Sequence, residues 1–448
     1  MTMVEPSRRL ALNSETVRFL VSPSGDDFVR ALHRKRYQRT LLGISQIQKR
    51  LLNEAGELFE NTGFAEAFEL LRRYPAQAQE QVLSYPSVAF WVDVAEDLLR
   101  REAHVRFPET HFATHLESFW RVVLAVSSIT SSGEIACHTR TDGAARLCLP
   151  GTGSYLQLPR GCEYQRIKVV SSGGAIQSFV GDEGDRVPIE ARESKIPKIA
   201  DIELNSLDVD LRLPDRSSFE YQDLTESDVI KWESPIHQSL RWIATCSPLL
   251  SKEVRQALRC IVPVRSPGTN THTSATFLEA PGLMALSWTP DAAMMVEAMV
   301  HEYHHTKLNS LLVLDRLILG PTEEAVFYSP WRTDPRPLLG ILHGAFVFQA
   351  ILEFWHRFFE AGIPLLQEER TRQRMYLIQA QTRQAITTIE REAALSDLGA
   401  ALLEAMKVSV SRFDVTLRHE SKAIQRRIDQ VQEEHRARWE AANGAGLQ

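Results

Sequence analysis

The sequence predicts a mainly α-helical protein with a smaller antiparallel β portion, an α+β chain. Three observations carry this. Apolar residues recur at helical spacing in long segments towards both ends of the chain, from Phe28 and again from Leu338. Short β-prone runs separated by glycine-rich turns fill residues 145 to 190. Between Met299 and Lys307 lies His301-Glu302-x-x-His305, on a segment with its own start and stop signals.

Taken in order, the first elements are helices. Phe28 to Gly56 carries Leu32, Leu41, Leu42 and Ile44, and Pro86 to Arg101 carries Phe90, Val92, Val94 and Leu98. His111 and His115 are four apart, but no glutamate follows His111, so core or surface histidines are expected there rather than ligands. After Ser131 the character changes. Ala145–Leu149, Tyr155–Leu158, Tyr164–Val170, Ala175–Val180 and Val187–Glu190 read as strands of a small antiparallel sheet. Leu207 to Leu213 alternates strictly and is expected to add a strand. An exposed edge here could hold an extended peptide, or the sheet could serve only to pack on the helices. Pro235 to Val262 reads as a helix ending near Pro263, 265–276 as a polar loop, and Gly282–Trp288 as a strand. Three regions follow: residues 1–130, helical; 131–235, β-rich, with possible peptide recognition; and 236–448, a helical metal-binding region with long C-terminal helices.

Composition narrows the function. The 448 residues are 44% hydrophobic and 24% charged, with a net charge of −6, which suits a globular protein and argues against a nucleic-acid partner. Cys137, Cys148, Cys162, Cys246 and Cys260 are scattered and lack C-x-x-C spacing. A disulfide framework and a zinc knuckle are therefore not expected, and a reducing cytoplasm fits. The first 30 residues lack a secretory pattern and no run of 18 apolar residues occurs, so no membrane partner is expected.

Thr289-Pro290-Asp291 reads as a cap, a proline at the first helical position and a first-turn acid, and Gly320-Pro321 as a stop. Met294, Ala298, Leu308 and Leu312 share a face with His301 and His305, which are one turn apart and can reach one ion together. Glu302 lies about 100° further round the helix. Asp334-Pro335 opens a second helix, Leu338 to Glu360, with His343 beside Gly340 and Gly344. Two glycines in a helix interior cost about 1 kcal/mol each. Close approach of another backbone would explain them and would bring His343 to the same ion. Two ligand sets therefore stand. A zinc peptidase would use Glu302 as base and Glu324, 19 residues after His305, as third ligand. An Fe(II) oxygenase would use His343, with Glu302 as a supporting group.

Val300-His-Glu-Tyr-His-His-Thr-Lys-Leu-Asn-Ser-Leu-Leu312, Tyr328-Ser-Pro-Trp-Arg-Thr-Asp-Pro-Arg-Pro-Leu338 and Leu342-His-Gly-Ala-Phe346 resemble the HExxH-motif peptide-modification domain family. The family includes 2-oxoglutarate-dependent enzymes that β-hydroxylate ribosomally made peptides. The resemblance runs over about residues 260 to 360. It implies a helical fold unlike a jelly roll or cupin, Fe(II) and 2-oxoglutarate as cofactors, and a precursor peptide as substrate. It also implies that His301, His305 and His343 are the metal ligands. The cosubstrate's far carboxylate would need a cation, and Arg332 and Arg336, between the two helices, are the candidates, with Lys307 next. A binding module that keeps the motif only as structure is the remaining class.

Overall fold

The computed structural model describes residues 26–54, 62–100, 112–130, 134–163, 166–172, 175–180, 187–189, 192–211, 219–266, 268, 272–312, 315–320, 326–365, 368–413 and 422–444. They are mainly helical, with a smaller sheet portion. His111 and Glu324 lie outside them. The chain divides into two compact units. The sheet unit is Phe28–His237 with Arg255–Pro290, and the histidine unit is Met1–Asp27, Gln238–Val254 and Asp291–Gln448.

The sheet unit opens with helices α1 (Asp26–Glu54), α2 (Phe64–Leu71), α3 (Ala76–Leu83), α4 (Pro86–Leu99), α5 (Phe112–Glu117) and α6 (Trp120–Thr130). Their shared face is aromatic and fully buried: Phe64, Phe90, Trp91, Phe119 and Trp120. His115 belongs to this core rather than to a site. Its ring stacks on Trp91 at 4.9 Å and its Nε2 lies 2.9 Å from the Trp91 carbonyl, and burial pushes its pKa down to about 4.

Strands follow as β1 (Glu134–Arg140), β2 (Arg146–Leu149), β3 (Ser154–Gln157), β4 (Arg166–Ser172), β5 (Ala175–Val180), β6 (Val187–Ile189), β7 (Arg192–Lys195), β8 (Lys198–Ile199) and β9 (Ile202–Leu204). The expected antiparallel pairing is present in β1-β4-β5-β6 and in β2-β3-β7. A further sheet, β11-β12-β10-β9-β8, mixes directions. In it β10 (Cys260–Val264) runs parallel to both β9 and β12 (Leu283–Ser287), and β11 (Ser274–Thr276) is antiparallel to β12. A parallel strand covered on both faces is a continuous apolar run, and every residue of β10 and β12 is buried.

Two expectations fail here. Leu207–Leu211, the described part of the run expected at Leu207–Leu213, is not a strand: Val209–Leu211 is a 3-10 turn. Polar side chains capture the backbone first. Asn205 Oδ1 accepts from the amides of Leu207 and Asp208 at 3.0 Å, and Asp208 Oδ1 accepts from Asp210 at 3.1 Å. Nor is Pro235–Val262 one helix. Helix α7 (Glu226–Cys246) carries Pro235 in its interior, α8 (Pro248–Ala257) is separate, and Cys260–Val262 is strand. The β-branched Ile261, Val262 and Val264 suit the buried centre of the sheet.

The histidine unit is helical: α9 (Ala292–Leu312), α10 (Leu338–Glu360), α11 (Glu368–Glu392), α12 (Asp397–Ser411) and α13 (Lys422–Asn443). Helix α10 packs against α9, α11 and α12. Its length and composition would suit a membrane span, but 67% of its most apolar window is covered by the rest of the chain. All five cysteines are free thiols, and burial raises Cys137 to about 12.

Candidate metal centre

Helix α9 starts later than Thr289-Pro290 suggests. Asp291 Oδ1 accepts from the Ala293 amide at 2.8 Å, so Asp291 is the cap and Thr289 is not. The helix is covered almost all round rather than on one stripe. Met295, Val296, Met299 and Val300 are buried, while Met294, expected inside, is 36% exposed. Its described course ends at Leu312, short of Gly320.

His301 and His305 lie one turn apart and meet edge-to-face, ring centroids 4.7 Å apart, both half-buried. The described segment between α9 and α10 closes with a two-way backbone bridge, Phe327 to Arg336. Pro337 then caps α10, which carries His343 to a centroid distance of 5.3 Å from His305. Thus His305 Nε2 is 3.1 Å from His301 Nε2, and His305 Nδ1 is 3.1 Å from His343 Nδ1. Burial, with the two neighbouring imidazoles, holds His305 well below its usual pKa. Burial brings His343 down to about 4. All three histidines singled out in the sequence therefore lie together, and the last two are held in the neutral form that binds metals.

The donor set fits a transition metal in residue type. Two imidazole nitrogens at about 2.1 Å from one ion and at right angles to each other lie about 3 Å apart, close to the His301–His305 spacing. As placed, however, His305 meets its partners through opposite ring nitrogens. Among the described residues no group of three or more His, Cys, Asp or Glu side chains converges on a point that could hold an ion. A half-turn of the His305 ring exchanges Nε2 with Cε1, the atom between its two nitrogens, and turns Nε2 towards both neighbours. That torsion is soft.

The surroundings are aromatic. Phe348 meets His301 edge-on at 5.3 Å, and Trp331 stacks on Phe348 at 4.7 Å. Gly344 is explained by this wall and not by another backbone: a Cβ there would stand 2.5 Å from Trp331 Cζ3. Gly340 makes only ordinary contacts, 3.6 Å, with its own preceding turn. Trp331 is held from behind, where Gln381 Nε2 donates to the Pro330 carbonyl at 2.7 Å. The sequence places Trp331 within the resembling motif and gives Phe348 no mark. The i, i+4 spacing of Gly344 and Phe348 was the available signal.

The other candidates are less closely gathered. Glu302 is 2% exposed, in a covered position on α9. Arg332 and Arg336 grip the two oxygens of Asp334, at 2.8 and 2.9 Å, with side chains 56% and 32% exposed. Lys307 is taken. Its Nζ lies 3.2 Å from Glu253 Oε2, both side chains are 0% exposed, and Tyr303 donates to the same oxygen at 2.6 Å. Residues 303 and 307 occupy the side of α9 turned away from 301 and 305, so Lys307 is an anchor and does not reach a cosubstrate. Glu253 went unnoticed in the sequence because its partner is 54 residues away.

Comparison with known proteins gives no matching family model and no matching curated protein.

Proposed function

We propose that this chain is an Fe(II)- and 2-oxoglutarate-dependent oxygenase that hydroxylates a side chain of a ribosomally made peptide, at Cβ by the family resemblance. One observation carries the choice of ligands: His343 Nδ1 lies 3.1 Å from His305 Nδ1, and the same ring's Nε2 lies 3.1 Å from His301 Nε2. A third histidine from a second helix suits the oxygenase set, whereas the peptidase set needs Glu324.

In this reading His301, His305 and His343 would hold the metal. When bound, it would supply the redox chemistry by which a 2-oxo acid and dioxygen oxidise an unactivated C–H bond. The protein's own work is positional. The neutral imidazoles of His305 and His343 offer lone pairs without a proton having to leave first. Trp331 and Phe348 keep one side of the histidines apolar and exclude water from it. Arg332 or Arg336 would exchange the exposed Asp334 carboxylate for that of the cosubstrate, at little cost because exposed ion pairs contribute about 0–1 kcal/mol. Glu302 would support the helix environment and not act as a base. The peptide could align on a strand edge of the sheet unit. The charged edge strand β7, with Glu193 and Lys195, discourages casual pairing and suits β1 or β2 better.

The test is anaerobic loading with Fe(II), metal analysis, and measurement of succinate released from 2-oxoglutarate, with peptides encoded beside the gene as substrates. The expected result is one iron per chain, lost in His301→Ala, His305→Ala and His343→Ala, with succinate formed. Stoichiometric zinc with peptide-bond cleavage that vanishes in Glu302→Gln would replace this reading by the zinc peptidase. No metal retained under any condition would leave the binding module.

A further inference from the structure

The histidine unit contains a polar concavity that none of the three histidines lines. A cavity of about 280 Å³ is lined by Tyr328, Gln384, Thr387, Thr388, Arg391 and Arg436. Every lining side chain is polar or carries a polar end, two are cations, and no carboxylate is among them. Arg391 comes from α11 and Arg436 from α13, so the cavity lies where two helices meet the start of the segment that leads to Trp331. Each guanidinium spends its Nε on a neighbour outside the lining, Arg391 on Glu392 and Arg436 on Glu440 at 3.1 Å. Their outer nitrogen pairs, which form the fork that matches an oxyanion bidentately, have no described partner.

Three of the other four liners, Thr387, Thr388 and Tyr328, are tied down. Thr387 and Thr388 hydroxyls donate back to the carbonyls of Arg383 and Gln384, at 3.0 and 3.1 Å, so their protons are spent on the helix and the charge in the lining comes from the two arginines. Tyr328 is 7% exposed, its hydroxyl 2.8 Å from His435 Nδ1, with the Arg436 guanidinium 5.4 Å from its ring centre. The cavity therefore has a rigid aromatic wall and two cationic arms. Its volume equals that of about nine waters, more than one phosphate needs and less than a drug-sized ligand.

We propose that this cavity binds a small aliphatic dicarboxylate, one carboxylate on each of Arg391 and Arg436, without any metal. The site shares no lining residue with the histidine cluster and does not depend on the reading of that cluster. A diacid fits better than a single phosphate because two forks come from two helices and the space exceeds one tetrahedral anion. Binding ties α13 to α11 and to Tyr328.

The probe is glutarate, which lacks the 2-oxo group needed to chelate a metal, titrated calorimetrically into EDTA-treated protein. Inorganic phosphate is titrated in parallel at the same ionic strength. Saturable binding of one glutarate per chain is expected, at least tenfold weaker in Arg391→Gln and in Arg436→Gln, and at least tenfold tighter than phosphate. His301→Ala should leave it unchanged. Both arginine side chains are more than half exposed, so the variants should fold, and their unliganded melting temperatures check this. Absence of saturable binding, survival of binding in both arginine variants, or phosphate binding as well as glutarate would each overturn the proposal. Loss of binding in His301→Ala would do the same by moving the diacid to the histidines. None of these outcomes bears on whether iron loads.

Discussion

Replacing Glu253 by leucine tests what holds α9 in place. The Lys307 ammonium and the Glu253 carboxylate are wholly buried, Nζ lying 3.2 and 3.5 Å from the two oxygens. Burial is the main cause lowering the Lys307 pKa, and Glu253 acts against it. Removing one partner of such a pair costs about 3–5 kcal/mol, because a charge stays in low dielectric without the group that offset it. The Tyr303 hydroxyl also loses its 2.6 Å acceptor, worth about 1–3 kcal/mol for a buried polar group. These two costs overlap. We therefore expect Glu253→Leu to lose about 4 kcal/mol, and Lys307→Met about 3 kcal/mol, by the same argument. Glu253→Leu/Lys307→Met should lose far less than the sum, with a coupling of at least about 2 kcal/mol, since an apolar replacement of a buried pair is often near neutral. Urea unfolding followed by far-ultraviolet circular dichroism, with the slope compared between variants, measures this. Losses under about 1 kcal/mol, or plain additivity, would show that water reaches the pair and would refute the anchor.

Glu302→Gln should keep both iron and most of the succinate release, because the oxygenase reading deprotonates no water; a variant with full iron and no turnover would show that Glu302 has a chemical role. Gly344→Ala places a methyl group 2.5 Å from Trp331. A shift of Trp331 off Phe348 costing about 1–3 kcal/mol is expected, and an unchanged melting temperature would mean that the indole does not rest there. His115 stays neutral in the fold down to about pH 4, whereas the unfolded chain takes up its proton near 6.5. Stability from this group is therefore full above 6.5 and falls as pH drops towards 4, by at most about 3 kcal/mol. His115→Phe should flatten that window in urea titrations, and an unaltered slope would count against it. Asp334→Asn frees Arg332 and Arg336 together and should tighten 2-oxoglutarate binding, while Ala at the arginine that binds it weakens binding at least tenfold; titration under nitrogen on the visible charge-transfer band reads both, and wild-type affinity in all three variants would remove these arginines from the site.

What could be read from the sequence was local, and what could not depended on distant partners. The strand runs from Arg146 to Ile189 announced themselves through β-branched residues between glycine turns, and α10 through its long apolar run from Leu338, because each signal is completed within a few residues; its cap did not, since Pro337 and not Asp334-Pro335 stands at the start. The strand expected at Leu207 failed on an equally local rule applied in the wrong order: alternation suggests a strand, but Asn205 and Asp208 can satisfy the backbone sooner, and they do. Cys260–Val262 was misread as helix because a fully buried strand has no alternation to show. At the histidines, i, i+4 spacing gave the His301–His305 pair, and Gly344 gave a reason for a close neighbour, though not which one. Periodicity cannot say that Trp331 would be that neighbour, since the loop that carries it is placed by Gln381 from 51 residues away. It is equally silent on Glu253, yet that residue explains the motif's layout. Helix α9 carries an ionic anchor on Tyr303 and Lys307 and an imidazole pair on His301 and His305, on opposite sides. A helix held from behind by a buried charge pair cannot turn about its axis without exposing or stranding that pair. The orientation of His301 and His305 towards α10 is therefore fixed by residues that never touch them, and Glu253→Leu should loosen the histidine pair as well as the fold.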